Sequence, residues 1–69
     1  MALTEVTNCD MYRIRRINGS SKIRRHLGSL GFVPGEKVQV VNKVASGLIV
    51  SVMGSRIAVN HDLAKMILV

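Results

Sequence analysis

Aromatic side chains are nearly missing from this sequence, which has one Tyr, one Phe and no Trp. Its core must therefore be aliphatic, and few rings remain for stacking on nucleobases or gripping a proline-rich peptide. Cysteine is equally scarce. Cys9 stands alone, so neither an internal disulfide nor a cysteine cage for a metal can form within one chain. Unbroken apolar runs end after three or four residues, far short of the ~20 that a membrane-spanning helix requires. No charged leader precedes an apolar stretch of the kind a secretory signal uses. A soluble cytoplasmic protein is expected, reaching a membrane only through a partner.

Acids are the next shortage, with four against ten Lys and Arg, for a net charge of +6. The excess is local. Between Met11 and Gly35 lie Arg13, Arg15, Arg16, Lys22, Arg24 and Arg25 with no acid, whereas the basic and acidic residues outside that segment balance. Such asymmetry points to an anionic partner or an acidic protein surface, and it also keeps a small domain soluble. Nucleic acid is one candidate, since each cation can neutralise a phosphate. The missing aromatics weigh against single-strand binding.

Catalytic sets are missing as well. The acids are scattered, no Ser occupies a Gly-Xaa-Ser-Xaa-Gly elbow, and no Gly-Lys-Ser/Thr loop is present to cradle a phosphate. Cys9, His26, His61 and Asp62 are the available soft or borderline ligands, and their spacing matches no zinc module. At most, His61-Asp62 offers a weak surface site or one shared between two chains. The expectation is a non-enzyme without a cofactor and without a metal site of its own.

What the sequence does contain is 48% apolar residues in 69 positions. That suffices for one small domain spanning residues 1–69, although a chain of this size buries only about 60% of its unfolded surface. Residues 1–10 read as an arm, with Leu3 and Val6 available to pack and Asn8-Cys9-Asp10 as a turn. Met11–Ile17 reads as a strand placing Tyr12 and Ile14 on one face and Arg13 and Arg15 on the other, and Ile17 breaks that parity, so a bulge or strand end is expected near Arg16. Asn18-Gly19 turns the chain, and Ser20 or Ser21 caps a helix whose stripe is Ile23, Leu27 and Leu30. Gly31 suits the left-handed residue that ends a helix, and Pro34 prevents continuation.

Val33-Pro34-Gly35-Glu36 has the residues of a type II turn. Alternation then resumes in three segments: Lys37–Val44 with Val38 and Val40 inward, Leu48–Met53 with Leu48, Val50 and Val52, and Arg56–Asn60 with Ile57 and Val59. Ala45-Ser46-Gly47 and a Gly54-Ser55 hairpin join them. A helical turn from Asn60-His61-Asp62 and a short strand from Met66 to Val69 close the chain. About five short strands and one inserted helix predict a mainly β fold, a small SH3-like barrel, with an OB-fold as the competitor.

The stretch Arg25-His26-Leu27-Gly28-Ser29-Leu30-Gly31-Phe32-Val33-Pro34-Gly35 resembles the Arg-x-Leu-x-x-Leu-Gly-Leu/Phe-x-Pro-Gly signature of the FeoA family, small accessory proteins of bacterial ferrous iron transport. The likeness continues through Val38-Gln39-Val40, Gly47, Ile49-Val50-Ser51-Val52, Gly54, Ile57-Ala58, Ala64 and Ile67 to Val69. It implies an SH3-like barrel, a non-catalytic role, and the membrane iron transporter FeoB as partner. The same barrel type is similar to the C-terminal domain of metal-responsive repressors of the diphtheria-toxin-repressor kind. The Ala45-Ser46-Gly47 loop is shorter than in many members.

On this reading Ile23, Leu27, Leu30, Gly31, Pro34, Gly35, Gly47 and Gly54 serve architecture. A contact surface for FeoB is expected on Arg13, Arg15, Lys22, Arg24 and Arg25, together with Phe32 and Val33 from the helix-to-strand turn. Core packing is an equally good role for Phe32. The alternative function is a small basic SH3-like nucleic-acid-binding module, and an exposed strand edge could also pair copies of the chain.

Overall fold

The structure, a computed structural model, describes residues 1–69 throughout. It is mainly β, with six strands in two antiparallel sheets. A 3-10 turn at Leu3–Glu5 precedes β1 (Met11–Arg13), β2 (Arg16–Ile17), α1 (Ser21–Ser29), β3 (Lys37–Val44), β4 (Gly47–Val52), β5 (Ser55–Asn60), α2 (His61–Ala64) and β6 (Ile67–Leu68). One sheet has the order β1-β3-β4-β5, and the other pairs β2 with β6.

The single segment expected over Met11–Ile17 is two strands, and of the bulge or strand end expected near Arg16 the structure has the strand end, a break at Ile14-Arg15. Up to Arg13 the segment pairs with β3. Ile14 then donates its N–H to Glu36 O (2.9 Å) and accepts from Gly35 N (2.8 Å), and Arg15 N donates to Leu68 O (2.7 Å). One stretch of backbone thereby supplies both sheets. Ile14 is fully enclosed at this corner, where the chain must change partners for a short-stranded sheet to close on itself.

The core is aliphatic apart from Phe32. Leu3, Val6, Ile14, Ile17, Leu27, Val38, Val40, Leu48, Val50, Val52, Val59, Ala64 and Ile67 complete it, and no polar side chain is buried among them. Alternation explains the strands: Val38 and Val40 on β3, and Leu48, Val50 and Val52 on β4, point to one side. Leu3 and Val6 are buried, so the first residues pack on the core through the two side chains expected to do so. Ile23, Leu30 and Ile57 are half-buried against the core, and within the expected helical stripe only Leu27 is fully inside.

Two turns differ from expectation. The β4–β5 loop is Met53-Gly54, not Gly54-Ser55, because Val52 pairs with Ser55. Both loop residues have positive φ, 50° at Met53 and 82° at Gly54, as a turn matching the strand twist requires. The β3–β4 loop is Ala45-Ser46 alone, since Gly47 already pairs with Asn60. Gly47 is glycine for a packing reason: a Cβ there would lie 2.0 Å from Val59 O and 2.7 Å from Asn60 Cα. In addition, β3 carries a register shift between Val40 and Asn42 that the alternation did not announce.

Candidate interaction surface

Helix α1 is fixed at both ends by local bonds. Ser20 Oγ accepts from Ile23 N at 3.3 Å, filling one of the donors that a helix start leaves free. At the other end Gly31, with φ 105°, donates to Gly28 O (3.0 Å), and Phe32 N donates to Leu27 O (3.0 Å). These two bonds form a Schellman motif, with Leu27 and Phe32 both buried beside it. The chain then turns at Pro34-Gly35, where Glu36 N donates to Val33 O at 3.1 Å and Gly35 has φ 92°, as a type II turn demands.

Every cation expected to form the contact surface is exposed: Arg13 on β1, Arg15 at the corner, and Lys22, Arg24 and Arg25 on α1. Arg25 is two residues from Leu27 and so faces away from the core. Two of the five are oriented by the backbone. Arg13 Nη1 donates to Gly35 O at 2.7 Å, which ties β1 to the helix-to-strand turn. Arg24 Nη1 donates to Gly19 O (3.0 Å) and Nη2 to Ser21 Oγ (3.4 Å), folding the side chain over the start of the helix. None of the five has an acidic partner; the chain's one ion pair is Lys65 with Asp62 at 3.8 Å. Their charge is therefore directed at solvent, uncompensated by the protein.

Phe32 departs from the expected surface set. It has 0% exposure and is the largest fully buried side chain, so it is core and not contact. Val33, next in sequence, is 37% exposed and stays at the surface. The structure also places beside the turn a residue that the sequence reading passed over. Met53 is 67% exposed, and its Sδ would lie 3.2 Å from a Cβ at Gly31. Strand parity gave no signal for it: inward Val50, Val52, Ile57 and Val59 fit a loop at Met53-Gly54 or at Gly54-Ser55 alike, and the observed register selects the first. An apolar rim of Val33 and Met53 thus borders the end of a basic helix.

No three His, Cys, Asp or Glu residues converge, and the surface holds no pocket. Cys9 is a free, exposed thiol. The chemistry available is that of an open surface with exposed cations, two of them oriented by the backbone, and a small apolar rim.

The FeoA domain family matches residues 1–69. The chain belongs to the FeoA family. Among solved structures, an iron uptake regulatory protein, FeoA, is 32% identical, with 97% of this chain and 91% of that one covered and a TM-score of 0.87. The FeoA of Stenotrophomonas maltophilia, a prokaryotic SH3-domain protein solved in complex with zinc, is 30% identical over 99% of this chain and 87% of that one, with a TM-score of 0.82. The manganese regulator SloR shares the fold at 16% identity and a TM-score of 0.85, with 96% of this chain covering 32% of the regulator. No curated protein matched the sequence. The SH3-like expectation holds, and FeoA proteins are associated with ferrous iron transport.

Proposed function

We propose that this FeoA protein is a non-catalytic adaptor, a single cytoplasmic domain that docks on the cytoplasmic part of a FeoB-type transporter and modulates ferrous iron uptake. The observation that carries this reading is the family match over residues 1–69. Two features are consistent with it. No helix is long and apolar enough to cross a membrane, and the surface offers cations without a catalytic set.

The docking surface in this reading is Arg13, Arg15, Lys22, Arg24 and Arg25 with Val33 at its rim; buried Phe32 is left out. Exposed charges of this kind act mainly on association rate and make binding salt-sensitive. A titration of the cytoplasmic domain of the partner transporter at two ionic strengths tests the proposal. Saturable binding is expected, with a slower association for the Arg24→Glu/Arg25→Glu variant. Absence of binding by the unmodified chain would overturn the partner, and unchanged kinetics in the variant would overturn the surface. Tight binding to duplex DNA or RNA, with a steep logarithmic salt dependence in a parallel mobility-shift titration, would favour a nucleic-acid module instead.

A further inference from the structure

The two outer edges of this fold are treated differently. Beyond β6 the edge is covered: Ala2 bridges Leu68, and Val69 N donates to Met1 O at 2.8 Å. Beyond β5 nothing pairs, since the four-stranded sheet ends there. Which backbone groups it leaves free follows from the ladder. Val40 N donates to Asp10 O (3.0 Å), so Val40 and Val38 turn toward β1 and Gln39 turns toward β4. Gln39 opposes Ser51, so Val50 and Val52 turn toward β5, where they meet Ile57 and Ser55. In an antiparallel ladder these directions alternate, so the N–H and C=O groups of Arg56 and Ala58 point away from the sheet. Neither residue takes part in any of the turn, loop or cap bonds.

The side chains along this edge are arranged for a partner strand. Arg56 and Ala58 are exposed on one face, while Ile57 on the other is half-buried at the margin of the core. The four strands carry Arg13, Lys37, Lys43 and Arg56 and not one acid. Arg13 is held by Gly35 O and Lys43 by Val6 O, whereas Arg56 has no hydrogen-bond or ion-pair partner. A second copy fits poorly. Each copy carries +6 and presents its own Arg56 along β5, so pairing two copies sets like charges against one another. A charge on an edge strand discourages self-pairing, and the same charge selects an acidic strand.

We infer that β5 is a strand-addition site for an extended acidic segment of another protein. The segment alternates carboxylate and β-branched residues, with the carboxylates on the Arg56 face and the apolar side chains over Ile57. Main-chain bonds to Arg56 and Ala58 supply its register, and the ion pair to Arg56 its selectivity. The site is independent of the docking reading above, because it uses β5 and not α1.

The test follows backbone amides by NMR in the full 69-residue chain, titrated with the capped peptide Thr-Val-Glu-Val-Glu-Thr. Saturable shifts and slowed hydrogen exchange are expected at Arg56 and Ala58. A peptide with Lys for Glu should not bind. Arg56→Glu should weaken binding about tenfold or more, the scale of one charge-assisted hydrogen bond. Ala58→Pro removes a donor the sheet does not use, which an edge strand tolerates, and should abolish binding. A peptide N-methylated at its pairing amides tests the same bonds without altering the protein, and should fail to bind. Shifts confined to α1, binding that survives N-methylation, or self-association through β5 would each overturn the inference.

Discussion

The helix-to-strand junction and the basic surface next to it are adjacent in sequence and opposite in construction. From Leu27 to Glu36 the backbone is held by successive short bonds: the Schellman pair, the type II turn, and the Ile14 bonds that receive it. Its central side chain, Phe32, is enclosed. On the outer face of α1 and along β1, by contrast, five cations lie in solvent without an acidic partner. Substitution in the first region should cost stability. Substitution in the second should leave the fold alone and change encounters with other molecules.

The sharpest way to break that contrast lies outside both regions, at Gly47, where backbone meets backbone. Gly47→Ala would drive Cβ into Val59 O at 2.0 Å, and because neither side can yield as a flexible side chain could, the loss should be about 4 kcal/mol or more. Urea unfolding followed by circular dichroism would show a collapsed or absent transition. Phe32→Ala should cost about 3–5 kcal/mol by emptying the one large ring from an aliphatic core. A surface role for Phe32 would predict almost no loss in the same measurement.

Gly31→Ala should cost about 1–2 kcal/mol, because an L residue is strained at φ 105°. The displaced Met53 thioether is flexible and adds little. Met53 itself offers the opposite sign. It is a left-handed non-glycine at φ 50°, and Met53→Asn should stabilise by about 0.5 kcal/mol, read as a raised urea midpoint, since Asn tolerates that conformation better. The smallest effect on folding is expected for Arg24→Glu/Arg25→Glu, within about 0.5 kcal/mol. That variant should nonetheless show the largest change in association rate with the transporter domain. A large loss of stability there would erase the distinction between the two regions.

What was legible in the sequence follows the same division. A serine cap at Ser20 or Ser21, the left-handed Gly31 and the Pro34-Gly35 turn were readable because each depends on a residue type whose local chemistry leaves few alternatives; the structure chose Ser20. The inward valines of β3 and β4 were readable from parity. The parity break at Ile17 marked an irregularity near Arg16, but the change of partner at Ile14 was not readable, because it is a property of sheet closure. The Met53-Gly54 turn was missed because Gly54-Ser55 matches a common hairpin pair equally well, and only the register with β4 decides between them. For the candidate surface, charge placed the cations outside, but Phe32 and Val33 are neighbours of similar hydropathy. The Schellman geometry that turns one in and leaves the other out is three-dimensional.

The closure of the chain ends on one another has a consequence for how such a unit can be used. Met1 N donates to Val69 O at 3.2 Å, Val69 N returns a bond to Met1 O, and the Ala2–Leu68 bridge lies just inside them. A fold whose ends meet can be grafted into a loop of a larger protein, or have its ends joined by a short linker and be reopened at Ala45-Ser46, with little disturbance to either host or guest. That portability agrees with finding this barrel both by itself and as about a third of a manganese regulator.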